Sequence, residues 1–112
     1  MVVGPADAIH AAYAGRYTHE CREVAPGTSA AQFANIECAF VRFKARAGNT
    51  GDVYIGQSDV TVAQGTSDTN GGFELTPGDD TGWVPASNLN VFYGIGDGAT
   101  DSVCIWILSF VA

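Results

Sequence analysis

Two histidines and three cysteines are the first places to look for chemistry in this chain. His10 falls in an alanine-rich stretch, and His19 stands beside Glu20 in a segment that reads as a strand. Neither lies at metal-ligand spacing from a second His or Cys. Cys21, Cys38 and Cys104 are an odd set with no C-x-x-C pair, so they make neither a disulfide framework nor a zinc knuckle. All three sit in apolar or alternating segments, which predicts buried free thiols of the kind kept in a reducing compartment; a Cys21–Cys38 bridge is the alternative. The adjacent carboxylates Asp79 and Asp80 follow Pro77-Gly78, and neighbours on a turn point apart, which suits a solvated turn better than an acid–base pair. Asp97-Gly98-Ala99-Thr100-Asp101 has the outline of a calcium loop without its alternating ligands or distal glutamate. Gly94-Ile95-Gly96-Asp97-Gly98 lacks the helix and the lysine that a phosphate cradle uses. Trp83, Trp106, Tyr54 and Tyr93 could stack on a sugar, although such aromatics more often belong to a core or a subunit interface. A catalytic site needs a nucleophile, a base and an orienting group, or a metal. The residues supply none of these sets, so the expectation is a protein without catalytic residues, metal or cofactor.

The elements that must position these residues are strands. Tyr17–Val24 reads as extended, and Ala25-Pro26-Gly27-Thr28 as a turn. Ser29–Ile36 resumes an extended course. In Cys38–Arg46, Val41, Phe43 and Ala45 alternate with Arg42, Lys44 and Arg46, which places one set inside and the other in water. Gly48–Gly51 is a loop, and Asp52–Gly56 follows with Val53 and Ile55 on one side, so the two runs read as a hairpin. Asp59–Ala63 is expected as a further strand with Val60 and Val62 on one face. The polar run 64–72 is a surface loop. Phe73 and Leu75 are expected inward on a short strand, followed by the Pro77-Gly78 turn, a brief strand at Thr81–Pro85, a bend at Ser87–Asn90 and a strand at Val91–Ile95.

The closing segment, Ser102–Val111, is apolar on both sides. Val103, Ile105, Ile107 and Val111 form one face, and Cys104, Trp106, Leu108 and Phe110 the other. One face fits a domain's own core, and the other needs a cover. Asp7–Tyr13 reads as a short helical turn with Ile9 and Tyr13 on one side, too short to stand alone and hence an arm ordered by contact. Trp106, Leu108, Phe110, Tyr13 and Ile9 are therefore the interface candidates. Together the segments predict an all-β chain: a small antiparallel β-sandwich or barrel of about seven or eight short strands with an N-terminal arm. Residues 1–29 would hold the arm and first strand, and residues 30–112 the sandwich.

Composition narrows the partners. The 112 residues make one domain, with 14 glycines to turn the strands and only 15% charged residues, which opposes disorder. The net charge is −7, and no Lys or Arg follows Arg46. Such a surface repels phosphate, so nucleic acid and anionic membranes are not expected partners. Met1–Ala14 has no basic n-region or long apolar core, so no secretory signal is expected. Val103–Ala112 is too short to span a bilayer as a helix.

A resemblance points further. Val41–Ala45, then Gly48-Asn49-Thr50-Gly51, then Val53-Tyr54-Ile55-Gly56 is similar to a pattern in small virion proteins of tailed bacteriophages. Downstream, Gly72-Phe73-Glu74-Leu75-Thr76-Pro77-Gly78, Asn88-Leu89 and Phe92-Tyr93-Gly94-Ile95-Gly96 resemble the same family in order and spacing. The resemblance covers roughly residues 30–111 and rests on its order, since hairpins and Pro-Gly turns are individually common. It implies a capsid decoration (cement) protein, made in the host cytoplasm and carried on the virion. Its partners would be the major capsid protein or other virion proteins, and a homo-oligomer is implied, a trimer matching the three-fold sites of shells. A tail-associated receptor- or carbohydrate-binding module is the rival expectation. The family supplies no catalytic residues.

Overall fold

A computed structural model describes residues 17–62 and 70–110. The described residues form eight strands and one short 3-10 turn: β1 (Tyr17–Val24), β2 (Ala31–Gln32), β3 (Phe40–Ala45), β4 (Val53–Gly56), β5 (Phe73–Leu75), β6 (Asp80–Pro85), the turn Leu89–Val91, β7 (Tyr93–Gly96) and β8 (Val103–Phe110). They build two four-stranded antiparallel sheets, ordered β1-β8-β3-β6 (sheet A) and β2-β7-β4-β5 (sheet B). This is the expected all-β sandwich. The expected arm, with Ile9 and Tyr13, lies outside the described residues. So does the side chain of Phe110.

Alternation decides which side chains meet between the sheets. Val41, Phe43 and Ala45 of β3 and Val103, Ile105 and Ile107 of β8 point inward from sheet A. Val53, Ile55 and Leu75 answer from sheet B, and Phe33 and Leu89 close the core from the connections. Phe43 is its hub, with Phe33 at 5.5 Å and Phe92 edge-on at 5.2 Å between ring centroids. Such aromatic contacts add about 0.5–1.5 kcal/mol each beyond the area they bury. Outside sheet B a second cluster of Tyr54, Val60 and Ile95 is folded over by residues 57–62.

Several expectations are corrected. The runs around Val41 and Val53 do not form a hairpin: β3 pairs with β8 and β6, β4 with β7 and β5. Both runs turn their apolar faces toward each other across the core, which requires opposite sheets. The crossing loop is held by Asn49, whose side chain donates to the Ser102 carbonyl at 2.8 Å and accepts the Ser102 N–H at 2.9 Å. The described part of the strand expected at Asp59–Ala63, residues 59–62, is no strand; Thr61 makes a bridge to Gly71, Val60 is buried and Val62 is exposed, while Ala63 lies outside the described residues. Ser29–Ile36 contributes only the two residues of β2. Leu75 points inward as expected, but Phe73 is 62% exposed because β5 is the edge of sheet B and nothing described lies beyond it. The turn at Thr76–Asp79 forms as its Pro-Gly pair demands. The Asp79 N–H donates to the Thr76 carbonyl at 2.8 Å, and Gly78 takes φ 90°, open to glycine at little cost.

Candidate functional site

The side chains with the most to offer a partner lie on the outer face of sheet A. Strand pairing is what assembles them. Cys21 and Arg42 stand opposite Trp106 on the two strands flanking β8, and Trp83 stands opposite Arg42 on β6. Trp83 and Trp106 therefore reach over β3 from either side, and their rings meet at 4.7 Å between centroids, tilted by 51°. His19 approaches Trp106 edge-on at 6.0 Å, and the indole Nε1–H donates to its Nδ1 at 3.2 Å. That bond makes Nδ1 an acceptor and leaves the ring proton on Nε2. Trp106 nonetheless remains 37% exposed.

Beside the aromatics is a shallow depression of about 280 Å³ walled by Cys21, Arg42, Lys44, Asp80, Cys104 and Trp106. Arg42 donates to Asp80 at 2.8 Å. The guanidinium, with the Gly82 N–H second, holds the Asp80 carboxyl below its ordinary range. Its cations, Arg42 and Lys44, and the Trp106 ring are groups that can bind a surface.

The sequence-derived candidates divide. Trp106 is on this face and reachable. Leu108 is not: β8 is a central strand, so Leu108 lies between His19 and Phe40 and is fully buried. The expectation that it would contact a neighbour is corrected. Phe110 ends β8, and Tyr13 and Ile9 lie outside the described residues. Reading the sequence grouped Trp83 with Trp106 as possible sugar-stacking aromatics but missed His19 as their companion. Alternation puts His19 and Cys21 on one face, yet only the register of β1 against β8 reveals which residue they face. The three thiols are free, but Cys21 is exposed rather than buried, because it sits on an edge strand. Cys38 is half-buried, and burial pushes its thiol up.

Two other places were candidates from their residue types. Asp101, at the end of the calcium-like stretch, is buried and spends its carboxylate on backbone: Oδ1 accepts the N–H groups of Thr50 and Gly51 at 3.1 Å, and Oδ2 accepts that of Gly98 at 2.9 Å. Asp97 likewise accepts the Asp52 N–H at 2.9 Å. These carboxylates staple the crossing loop to the loop before β8. Among the described residues no group of His, Cys, Asp and Glu could hold a metal ion. Asp79 and Asp80 point apart as expected, the first to Thr76 and the second to Arg42. Between the edges β5 and β6 a cleft of about 380 Å³ opens onto the core, lined by Phe43, Ile55, Phe73, Val84, Val91 and Phe92. It is mainly apolar, with Gln57 and Thr81 as its polar side chains, and the Thr81 hydroxyl is already used by the Phe43 N–H and the Gly82 carbonyl.

No described helix is long and apolar enough to cross a membrane. Compared with protein-family models, with curated proteins and with solved structures, the chain matches none of them.

Proposed function

We propose that this chain is a structural part of a larger protein assembly, a virion component that docks on a shell of other proteins as a capsid decoration (cement) protein. The observation that carries the reading is the outer face of sheet A, where a partly open Trp83–Trp106 pair lies beside Arg42 and Lys44. Among the described residues every Lys and Arg is on sheet A or, like Arg46, directly after one of its strands. Sheet B and its loops carry Asp52, Asp59, Glu74 and Asp97 with no cation. A module with one aromatic, charge-mixed face and one acidic face has a side to dock and a side to leave in solvent. Aromatic residues ringed by polar ones are the usual anchors of protein interfaces.

The test is co-sedimentation of the purified chain with shells assembled from the cognate major capsid protein. Trp106→Ala is expected to weaken binding by at least about tenfold, the loss of one interface anchor, while Asp79→Ala leaves it unchanged. Equal binding by both variants, or no binding by the wild-type chain, removes the reading. The paired tryptophans also favour a second reading, a tail-associated module that stacks on sugar rings. Glycan-array binding that is lost in Trp83→Ala would select it over the first.

A further inference from the structure

Of the four sheet edges among the described residues, β1 is the longest and runs without Pro, Gly or a bulge. β2 has two residues and β5 three. β6 carries Gly82 and Pro85 and is paired across a bulge between Arg42 and Lys44. These are the devices by which sheets avoid pairing with strangers. β1 has none of them: eight residues without Pro, Gly or Lys, in unbroken register with β8, and exposed along both faces from Thr18 to Glu23. Among the described residues no strand pairs with its outer side.

The backbone of β1 has a defined outward set. Arg46 N–H donates to the Ser102 carbonyl at 3.0 Å, in register with Lys44 opposite Cys104, so the even-numbered residues of β8 bond to β3. Ile105 and Ile107 then bond to β1, at Arg22 and Glu20. This leaves His19, Cys21 and Glu23 with N–H and C=O directed away from the sheet.

We propose that β1 pairs antiparallel with β1 of a second copy of this chain, about a two-fold axis through Cys21, joining the two A sheets into one. The charges select this register. About Cys21, Glu20 faces the second copy's Arg22 and His19 faces its Glu23, each pair occurring twice by symmetry. With the axis moved one residue, Glu20 faces Glu20, or Arg22 faces Arg22. An axis between residues would set outward backbone groups against inward ones and break the ladder. Within one copy Arg22 already donates to Glu20 at 3.1 Å. In the pair, carboxylates and guanidiniums alternate around a square of two strands. The Nε2–H of His19, free of the Trp106 bond on Nδ1, is the donor for the second copy's Glu23. An inward-pointing charge on an edge strand deters most partners. Here the pattern is matched by its own reverse, in which each charge meets its opposite. A closed two-fold pair is isologous, and it differs from the trimer that the phage resemblance implies.

The pairing does not rest on the virion reading, because it is measured on the purified chain without shells. Sedimentation at about 100 μM, a concentration that populates contacts of micromolar affinity, is expected to give a species of twice the 11.7 kDa chain. Glu20→Arg and Arg22→Glu are each expected to weaken self-association at least about tenfold, since two favourable cross-strand pairs become repulsive in each. Mixing the two variants is expected to restore a dimer, as each introduced charge then meets its opposite. Opposed residues in such a ladder have Cα atoms about 5.5 Å apart, within disulfide reach. Diamide should therefore cross-link the wild-type chain through Cys21 and leave Cys21→Ser monomeric on a non-reducing gel. Circular dichroism checks that every variant is folded. A monomeric wild-type chain overturns the proposal, as do single variants that associate like wild type, or a mixture that stays monomeric.

Discussion

Asp101 shows how much one side chain can hold in a chain this small. It bridges three backbone N–H groups from two loops. Removing it leaves those part-buried donors without their partner, and each such group costs about 1–3 kcal/mol where water does not replace it. Asp101→Ala is expected to lose about 3–5 kcal/mol of stability in urea unfolding, since relaxation and water recover part of the sum. Tyr54 makes a second point at this scale. Burial chiefly, then the charges of Asp97, Glu74 and Asp52, push its phenol from an ordinary 10.0 up to about 12. The folded chain holds that proton longer than the unfolded one. Stability is therefore intact below pH 10.0 and falls as pH rises toward about 12. A tyrosinate titration followed at 295 nm should show a late step that is missing in Tyr54→Phe. Glu74 is raised as well, by the hydrogen bond it shares with Asp52, then by desolvation and after that by neighbouring negative charge. None of this was legible in the sequence, where Asp101 resembles any loop acid and Tyr54 a possible sugar platform.

At the scale of elements the sequence was more open. Alternation in Val41–Ala45 identified the inner face of β3 residue by residue, because a half-buried strand must repeat every second position, and the same period separated Val103, Ile105 and Ile107 of β8 from the other apolar face. The Pro77-Gly78 turn was equally clear. The hairpin between β3 and β4 was misread because the same loop length serves a turn within one sheet or a crossing between two. What decides is the long-range clasp of Asn49 on Ser102, which no local pattern displays. Pairing partners were hidden for the same reason: β1 meets β8 across almost the whole described chain. Gly94 tests the packing between elements. A Cβ there would lie 2.6 Å from Phe33 Cζ and 3.2 Å from Pro26 Cβ. Gly94→Ala is expected to cost about 1–3 kcal/mol through overpacking, read as a lower melting temperature.

For the whole molecule, the sandwich sorts charge without any sheet being designed for one sign. Among the described residues, cations stay with sheet A because Arg22, Arg42, Lys44 and Arg46 are in or just after β1 or β3. Composition revealed the imbalance, but not that it would separate two faces, since that depends on which strands share a sheet. A face-specific consequence is open to measurement. Lysine-directed labelling of Lys44 should be suppressed when the chain is docked, whereas carbodiimide labelling of Asp59 should not change. Protection of both, or of Asp59 alone, would mean that the docked face is not sheet A.

The order in which the strands are made has its own outcome. β8 is the middle of sheet A, yet it is synthesised after every other described strand. Until it arrives, β1 has no ladder among the described strands and β3 has only β6, so a nascent chain shows its greasy ribbons to solvent for most of its translation. Contacts this distant in sequence close slowly. A ribosome-stalled chain ending before Val103 should therefore be cut by protease along its length and bind holding chaperones, and release past β8 should end both.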